Sequence, residues 1–347
     1  MPQHHIAFWN VENLFGPENH PPRIDWVAKA MGSDLRGWTN ALYDIKQDQL
    51  TKVIAAMNGG AGPDILGLCE VEDRAVLDDL VARVNEATGR SYGLVHADNL
   101  KDKRGIDTAF LFDETRYSVD PKLVFSHFVI RRTGTRDILQ ATFKTPEGRQ
   151  LVCLANHWPS RSGGALESAG FRSTAGETLA YWHGRIREEA ADGKRACVIA
   201  MGDLNDDPWD ASVRFNANST RERGDVERSQ SPRFYNLSWE YLEWQSQTRT
   251  GSDRMLNGTL YYNNDGNVFD QILVSRPMLD TRDAAFKLVD GTAGPEAIPD
   301  MVSHRSSEGA IRFGLPKGNA DKNVDTSGYS DHFPVSVTLE EGPDTAV

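Results

Sequence analysis

A layered α/β sandwich is the fold class that this 347-residue chain predicts. Three observations lead to it. Short apolar runs of strand length recur along the chain, and helical spacing appears in three places. The order is strand, helix, strand, helix, then several strands, then another strand-helix-strand unit. Leu151-Val152-Cys153-Leu154-Ala155 and Cys197-Val198-Ile199-Ala200-Met201 show no polar alternation, so both faces of those strands are buried, as when two sheets pack together beneath helices.

Ile6–Trp9 reads as the first strand. Leu42, Ile45, Leu50, Val53, Ile54 and Met57 make one apolar stripe of a helix. Gly59-Gly60 ends it, because a left-handed turn favours a residue without a side chain. After the strand Ile65–Glu70, the residues Val76, Leu77, Leu80, Val81 and Val84 mark a second helix closed by Gly89. Strands follow at Gly93–His96, Thr108–Phe112, Leu123–Val129, Ile138–Lys144 and Leu151–Asn156. A third helix carries Ala175, Leu179, Trp182, Ile186 and Ala190, and strands Ala196–Gly202, Phe269–Ser275 and Val335–Leu339 complete the set. Residues 206–267 and 291–329, rich in polar residues, Gly and Pro, read as long surface loops on one domain spanning 1–347.

A hydrophobic content of 39% is enough for a buried core. The formal net charge of −12 repels phosphate backbones and argues against tight non-specific duplex binding, though divalent ions at a site invert the local potential. Cys69, Cys153 and Cys197 each lie in an apolar run, as buried free thiols do. The N-terminus lacks a basic head and apolar stretch, and no segment approaches the roughly 18 apolar residues of a membrane span. A cytoplasmic protein without membrane contact is expected, and the sequons at Asn218, Asn236 and Asn257 are then chance matches.

Chemistry-bearing residues collect at the ends of the apolar runs. Asp203-Leu204-Asn205 follows a buried strand and offers a carboxylate beside an amide, able to hold a nucleophilic water and a phosphoryl oxygen together. An Asx-rich turn capping a helix begun by Pro208 is the competing reading. Asp270 is polar inside an apolar strand and needs a partner; His332 in Ser330-Asp331-His332 would form an orienting dyad with it. Glu70 ends an apolar strand as a natural metal ligand, whereas Glu72 and Asp73 belong to a helix start. Asn10 closes the first strand. Asn156-His157-Trp158-Pro159-Ser160-Arg161 places an imidazole, a hydroxyl and a guanidinium in one loop suited to phosphate. Arg104 and Asp107 either reach the site or form an exposed charged turn. Carboxylate and amide oxygens of this kind suit Mg²⁺ or Mn²⁺.

Taken in order, Phe8-Trp9-Asn10-Val11, Leu68-Cys69-Glu70, Asn156-His157, Gly202-Asp203-Leu204-Asn205, Phe269-Asp270-Gln271 and Ser330-Asp331-His332 resemble the motifs of the endonuclease/exonuclease/phosphatase superfamily, with apurinic endonucleases, deoxyribonucleases, neutral sphingomyelinases and inositol polyphosphate 5-phosphatases among its members. The opening Trp-Asn-Val-Glu-Asn-Leu-Phe looks closest to a bacterial subgroup. The resemblance implies a four-layered αββα sandwich with two packed mixed sheets, and hydrolysis of a phosphate ester by an activated water. It implies Glu70 as main metal ligand with Asn10 and Asp331 beside it, and Asp203 aligning the water. His332, oriented by Asp270, binds the phosphate or assists proton transfer. Asn205 holds the phosphate with Asn156, Ser160 and Arg161, and His157 protonates the leaving oxygen. Tyrosine at that last position in apurinic endonucleases weakens an abasic-site role. A nuclease taking nucleic acid as transient substrate is expected, with a phosphatase for a small or lipid-derived phosphate as the alternative. A monomer is expected. The basic and aromatic residues of 206–267, among them Arg221, Arg223, Trp239 and Trp244, form either a substrate wall or a loop packed on its own rings.

Overall fold

The computed structural model describes residues 1–98, 104–130, 136–190, 195–262, 264–279 and 284–342. Residues 343–347 of the expected unit, and Asn263 of the expected loop, lie outside the described residues.

The apolar runs form two mixed sheets. The first has the order β16 (Phe286–Leu288), β18 (Val335–Glu341), β1 (Gln3–Leu14), β2 (Ile65–Val71), β4 (Asp107–Asp113) and β3 (Tyr92–His96), with β17 (Gly294–Pro295) also on β18. The second has the order β5 (Ser118–His127), β6 (Ile138–Lys144), β7 (Gln150–His157), β8 (Cys197–Asp203), β15 (Asp270–Ser275), β10 (Phe234–Asn236) and β9 (Ser219–Thr220). Parallel pairing joins β1 to β2 and β7 to β8, and antiparallel pairing joins β15 to β8.

Side-chain alternation explains the layers. On β7 and β8, Leu151, Cys153, Ile199 and Met201 face the other sheet, where they meet Phe8, Ile65 and Phe110. Their neighbours Leu154, Val198 and Ala200 turn outward onto Ala175 and Leu179 of α4, taking α1 as Asp25–Met31, α2 as Asn40–Gly60, α3 as Arg74–Thr88 and α4 as Ala165–Glu189. Leu50, Val53, Leu77 and Leu80 of α2 and α3 cover Leu66 and Leu68 on the outer face of the first sheet. Helices, sheet, sheet and helix thus make the four expected layers.

Local signals hold in most places. Asp73 caps α3 by accepting from Ala75 N and Val76 N, and Gly89 ends it at φ +68°. Glu72, expected at the same helix start, instead pairs with Arg23 at 2.5 Å and accepts from Gly16 N. α2 leaves helical geometry at Met57, with Asn58 and Gly59 left-handed. Residues 206–267 depart from a loop: they supply β9 and β10 to the second sheet and two hairpins, β11 (Trp244–Gln247) with β12 (Asp253–Leu256), and β13 (Leu260–Tyr262) with β14 (Asp265–Asn267). These strands are two to four residues long, too short to show a period. Among the described residues no helix is long and apolar enough to cross a membrane.

Candidate active site

Strand register gathers the polar strand ends. His157 and Asp270 both lie opposite Asp203, on its two neighbouring strands. Asp203, His157, Glu70, Asn205, Ser160, Arg161 and His332 line one cavity of about 200 Å³.

His332 is fixed from several sides. Its Nδ1 lies 2.8 Å from Asp270 Oδ2, its carbonyl accepts from Trp9 Nε1, and its N–H donates to Ser330 Oγ, which in turn donates to Asn10 O. Burial disfavours the imidazolium, but Asp270 and Asp203 outweigh it and raise the pKa well above the usual histidine value. Asp270 Oδ1 is buried without a hydrogen bond, so the whole pairing capacity of that carboxylate is directed at His332. Asp203 Oδ1 accepts from Asn205 N, and Oδ2 accepts from Asn10 Nδ2 at 3.1 Å. Burial raises the Asp203 pKa to about 6 against the opposing charge of His332, with Asp270 and Glu70 adding to the rise.

Glu70 and Asn205 have φ of +65° and +50°, in the left-handed region that side chains disfavour. At Glu70 this interrupts the register of β2 against β4, and the carboxylate accepts from Asn13 N at 2.9 Å.

Three of the expected site residues are committed to partners within the protein. Asn156 is fully buried; its amide donates to Leu154 O and Met201 O and accepts from Trp158 Nε1, so it braces β7 and β8 and has no capacity left for phosphate. Asn10 accepts from Glu12 N through Oδ1. That backbone donor fixes the amide with its nitrogen toward Asp203. Arg161 lines the cavity, yet its guanidinium pairs with Asp206 at 2.8 Å and Asp210 at 2.6 Å while covering the Phe269 ring. Its charge is therefore largely neutralised before substrate arrives. The Asp206–Asp210 turn serves this clamp.

His157 differs electrostatically from His332. Burial, then Arg136, Arg104 and His332, hold its pKa well below the usual value, so the ring is neutral. Arg136, which the sequence reading missed, places Nη2 3.0 Å from His157 Nε2. In sequence it closes the basic stretch Arg131-Arg132-Thr133-Gly134-Thr135-Arg136, and only the fold buries it. Arg104 lines the cavity and donates to Asn13 Oδ1, whereas Asp107 sits 3.3 Å from His96. Asp331, with a side chain 36% exposed, places Oδ1 3.9 Å from His332 Nε2. Of the basic and aromatic residues of 206–267, Tyr262 lines the cavity, whereas Arg221, Arg223, Trp239 and Trp244 do not; Arg221 covers Trp239 and Arg223 pairs with Asp290.

The carboxylate oxygens at the site are of the kind a hard cation takes. Glu70 and Asp331 present carboxylates, and the repulsion of Asp203 by Glu70 and Asp270 is what a nearby divalent charge relieves. The set fits.

A cavity lined by Glu70 and Asp203 at the strand ends of an αββα sandwich, with one imidazole oriented by a buried aspartate, belongs to the metal-dependent phosphoesterases. Residues 5–341 match the family model described as the Endonuclease/Exonuclease/phosphatase family, and the chain belongs to that family. No curated protein matches the sequence. Solved structures do. The human Nocturnin catalytic domain with bound sulfate has 15% identity and TM-score 0.53, covering 98% of this chain and 95% of that one. The mannosyl-6-phosphatase of Bacteroides thetaiotaomicron has 16% identity and TM-score 0.53, covering 97% and 99%. Truncated TDP2 of Caenorhabditis elegans has 18% identity and TM-score 0.50, covering 97% of each chain. These identities show the shared fold.

Proposed function

We propose that the protein is a nuclease: a phosphodiesterase that cleaves DNA or RNA with Mg²⁺ or Mn²⁺, acting in the cytoplasm as a monomer. The observation that carries this is the Asp270–His332 pair facing Asp203 across one small cavity. Asp203, with a pKa near working pH, accepts the proton of the attacking water. His332 is held as an imidazolium by Asp270 and presents Nε2–H to a phosphate oxygen, where a charge-assisted bond strengthens as negative charge builds. Asn10 orients Asp203, and Asn205 and Ser160 hold the phosphate. His157, being neutral, serves as a hydrogen-bonding group toward the leaving oxygen rather than as a cationic acid. When bound by Glu70 and Asp331, a divalent ion supplies charge neutralisation and Lewis-acid polarisation at the phosphate. A second reading, a phosphatase for a small phosphorylated molecule, is favoured by the 200 Å³ cavity and the net charge of −12.

The test is incubation with Mg²⁺ or Mn²⁺ and, in parallel, plasmid DNA, RNA, bis-p-nitrophenyl phosphate and p-nitrophenyl phosphate, with EDTA and His332→Ala controls. Metal-dependent cleavage of the polymers and the diester, lost in His332→Ala, is expected. Turnover of the monoester alone moves the assignment to the phosphatase, and unchanged turnover in His332→Ala removes the proposed site.

A further inference from the structure

We propose that Tyr262 is the specificity-determining residue of this site, and that it stacks against a nucleobase attached next to the scissile phosphate. The inference rests on the phosphodiesterase reading and extends it to the group that the outer half of the cavity accepts.

The β13–β14 hairpin is clamped to the turn that carries His332. Leu260 bridges to His332, and Phe333 N donates to Thr259 O at 2.8 Å. Alternation along a strand puts Leu260 and Tyr262 on one face and Tyr261 on the other. The split is visible in their surroundings. Tyr261 donates to Asn257 Oδ1 and has Arg254 over its ring, so it is committed to the hairpin's own packing. Leu260 and Tyr262 line the cavity instead. Two residues along a strand span roughly 6.6 Å, which sets Tyr262 about one nucleotide unit outward from His332.

The second aromatic ring at this wall, Phe269, is already covered by Arg161, whose guanidinium lies 4.6 Å from its centroid. Tyr262 is 57% exposed. An exposed tyrosine alone is ordinary on a soluble protein. What distinguishes this one is its position: it borders a cavity whose floor is Asp203 and His332, and the backbone that carries it is pinned to that floor. An acyl chain needs a contiguous apolar patch, whereas Asn267, Ser162 and Arg104 interrupt the apolar wall that Leu260, Tyr262 and Phe269 give this cavity. A flat heteroaromatic group with hydrogen-bonding edges suits one open ring among polar groups, and base–aromatic stacking is tolerant of which base is present.

The test compares thymidine 5′-(p-nitrophenyl phosphate) with methyl p-nitrophenyl phosphate, two diesters that share a leaving group and differ in whether a base is present. Wild-type enzyme is expected to favour the thymidine ester in kcat/KM. Tyr262→Ala should lower that preference by about tenfold, chiefly through KM, because the lost stacking acts in binding. Tyr262→Phe should keep it. A wild type with no preference, a Tyr262→Ala variant with an unaltered preference, or equal losses on both diesters would each overturn the role of Tyr262 while leaving the phosphodiesterase intact. A wild type that hydrolyses neither diester overturns the phosphodiesterase reading itself.

Discussion

Asp203 is the residue whose protonation the proposed chemistry depends on most. Burial, reinforced by Asp270 and Glu70 and opposed by His332, raises its carboxyl to about 6, so the acid form gains population within the range where an enzyme is ordinarily assayed. Only the carboxylate accepts a proton from water. The limb of the pH profile assigned to Asp203 therefore rises with pH and levels off above its pKa, while His332, also raised well above its usual value, stays protonated. Because a divalent ion beside Glu70 favours the charged carboxylate, the midpoint of kcat/KM at saturating Mg²⁺ is expected at or just below about 6. A profile between pH 4.5 and 8 checks it: absence of an acid limb would remove Asp203 as the base. Asp270 and His332 were legible as a pair because a carboxylate inside an apolar strand requires a partner. Asn156 and Arg161 were misread because their identities suit phosphate, while the contacts that use them up, with Leu154, Met201 and Trp158 and with Asp206 and Asp210, appear only in three dimensions.

At the level of elements, the close approach of β7 and β8 positions His157 and Asp203. A methyl group added at Gly202 would lie 2.3 Å from Asn156 O, nearer than any side chain tolerates. Gly202→Ala must push the two strands apart at the point where both functional side chains leave the sheet. The expected result is a loss of about 1–3 kcal/mol in stability, typical of overpacking, and reduced kcat although no reacting group is removed. Urea unfolding and steady-state rates measure the two effects, and a variant with native stability and rate would show that the approach is not needed. The same elements explain what could be read from sequence. Both central strands were legible because burial on two faces leaves an unbroken apolar run. β5 was placed at Leu123–Val129 but occupies Ser118–His127, because most of this edge strand is solvent-facing and its polar first half gives no apolar signal. β9 and β10 were invisible because they are short and join the sheet only through non-local pairing, β10 on β15 and β9 on β10.

The whole molecule carries 50 acidic against 38 basic side chains, so its long-range field opposes a polyanion even though Arg104, Arg136 and Arg161 gather at the site. Each of those cations has a commitment: Arg161 to Asp206 and Asp210, Arg136 to His157, and Arg104 to Asn13. Attraction at the cavity is thus short in range, and repulsion from the rest of the surface is long. Added salt shortens the Debye length from about 30 Å at 0.01 M to about 10 Å at 0.1 M, which screens the distant repulsion first and leaves buried contacts less affected. Association with a long DNA or RNA should then accelerate as salt rises, the reverse of a protein that tracks phosphates on a basic surface. Measured as kcat/KM on a polymer of fixed length, at constant Mg²⁺, an increase or plateau between 20 and 200 mM NaCl is the expected outcome. A steep fall would reveal a continuous basic track to the cavity and place substrate capture on the surface rather than in the site.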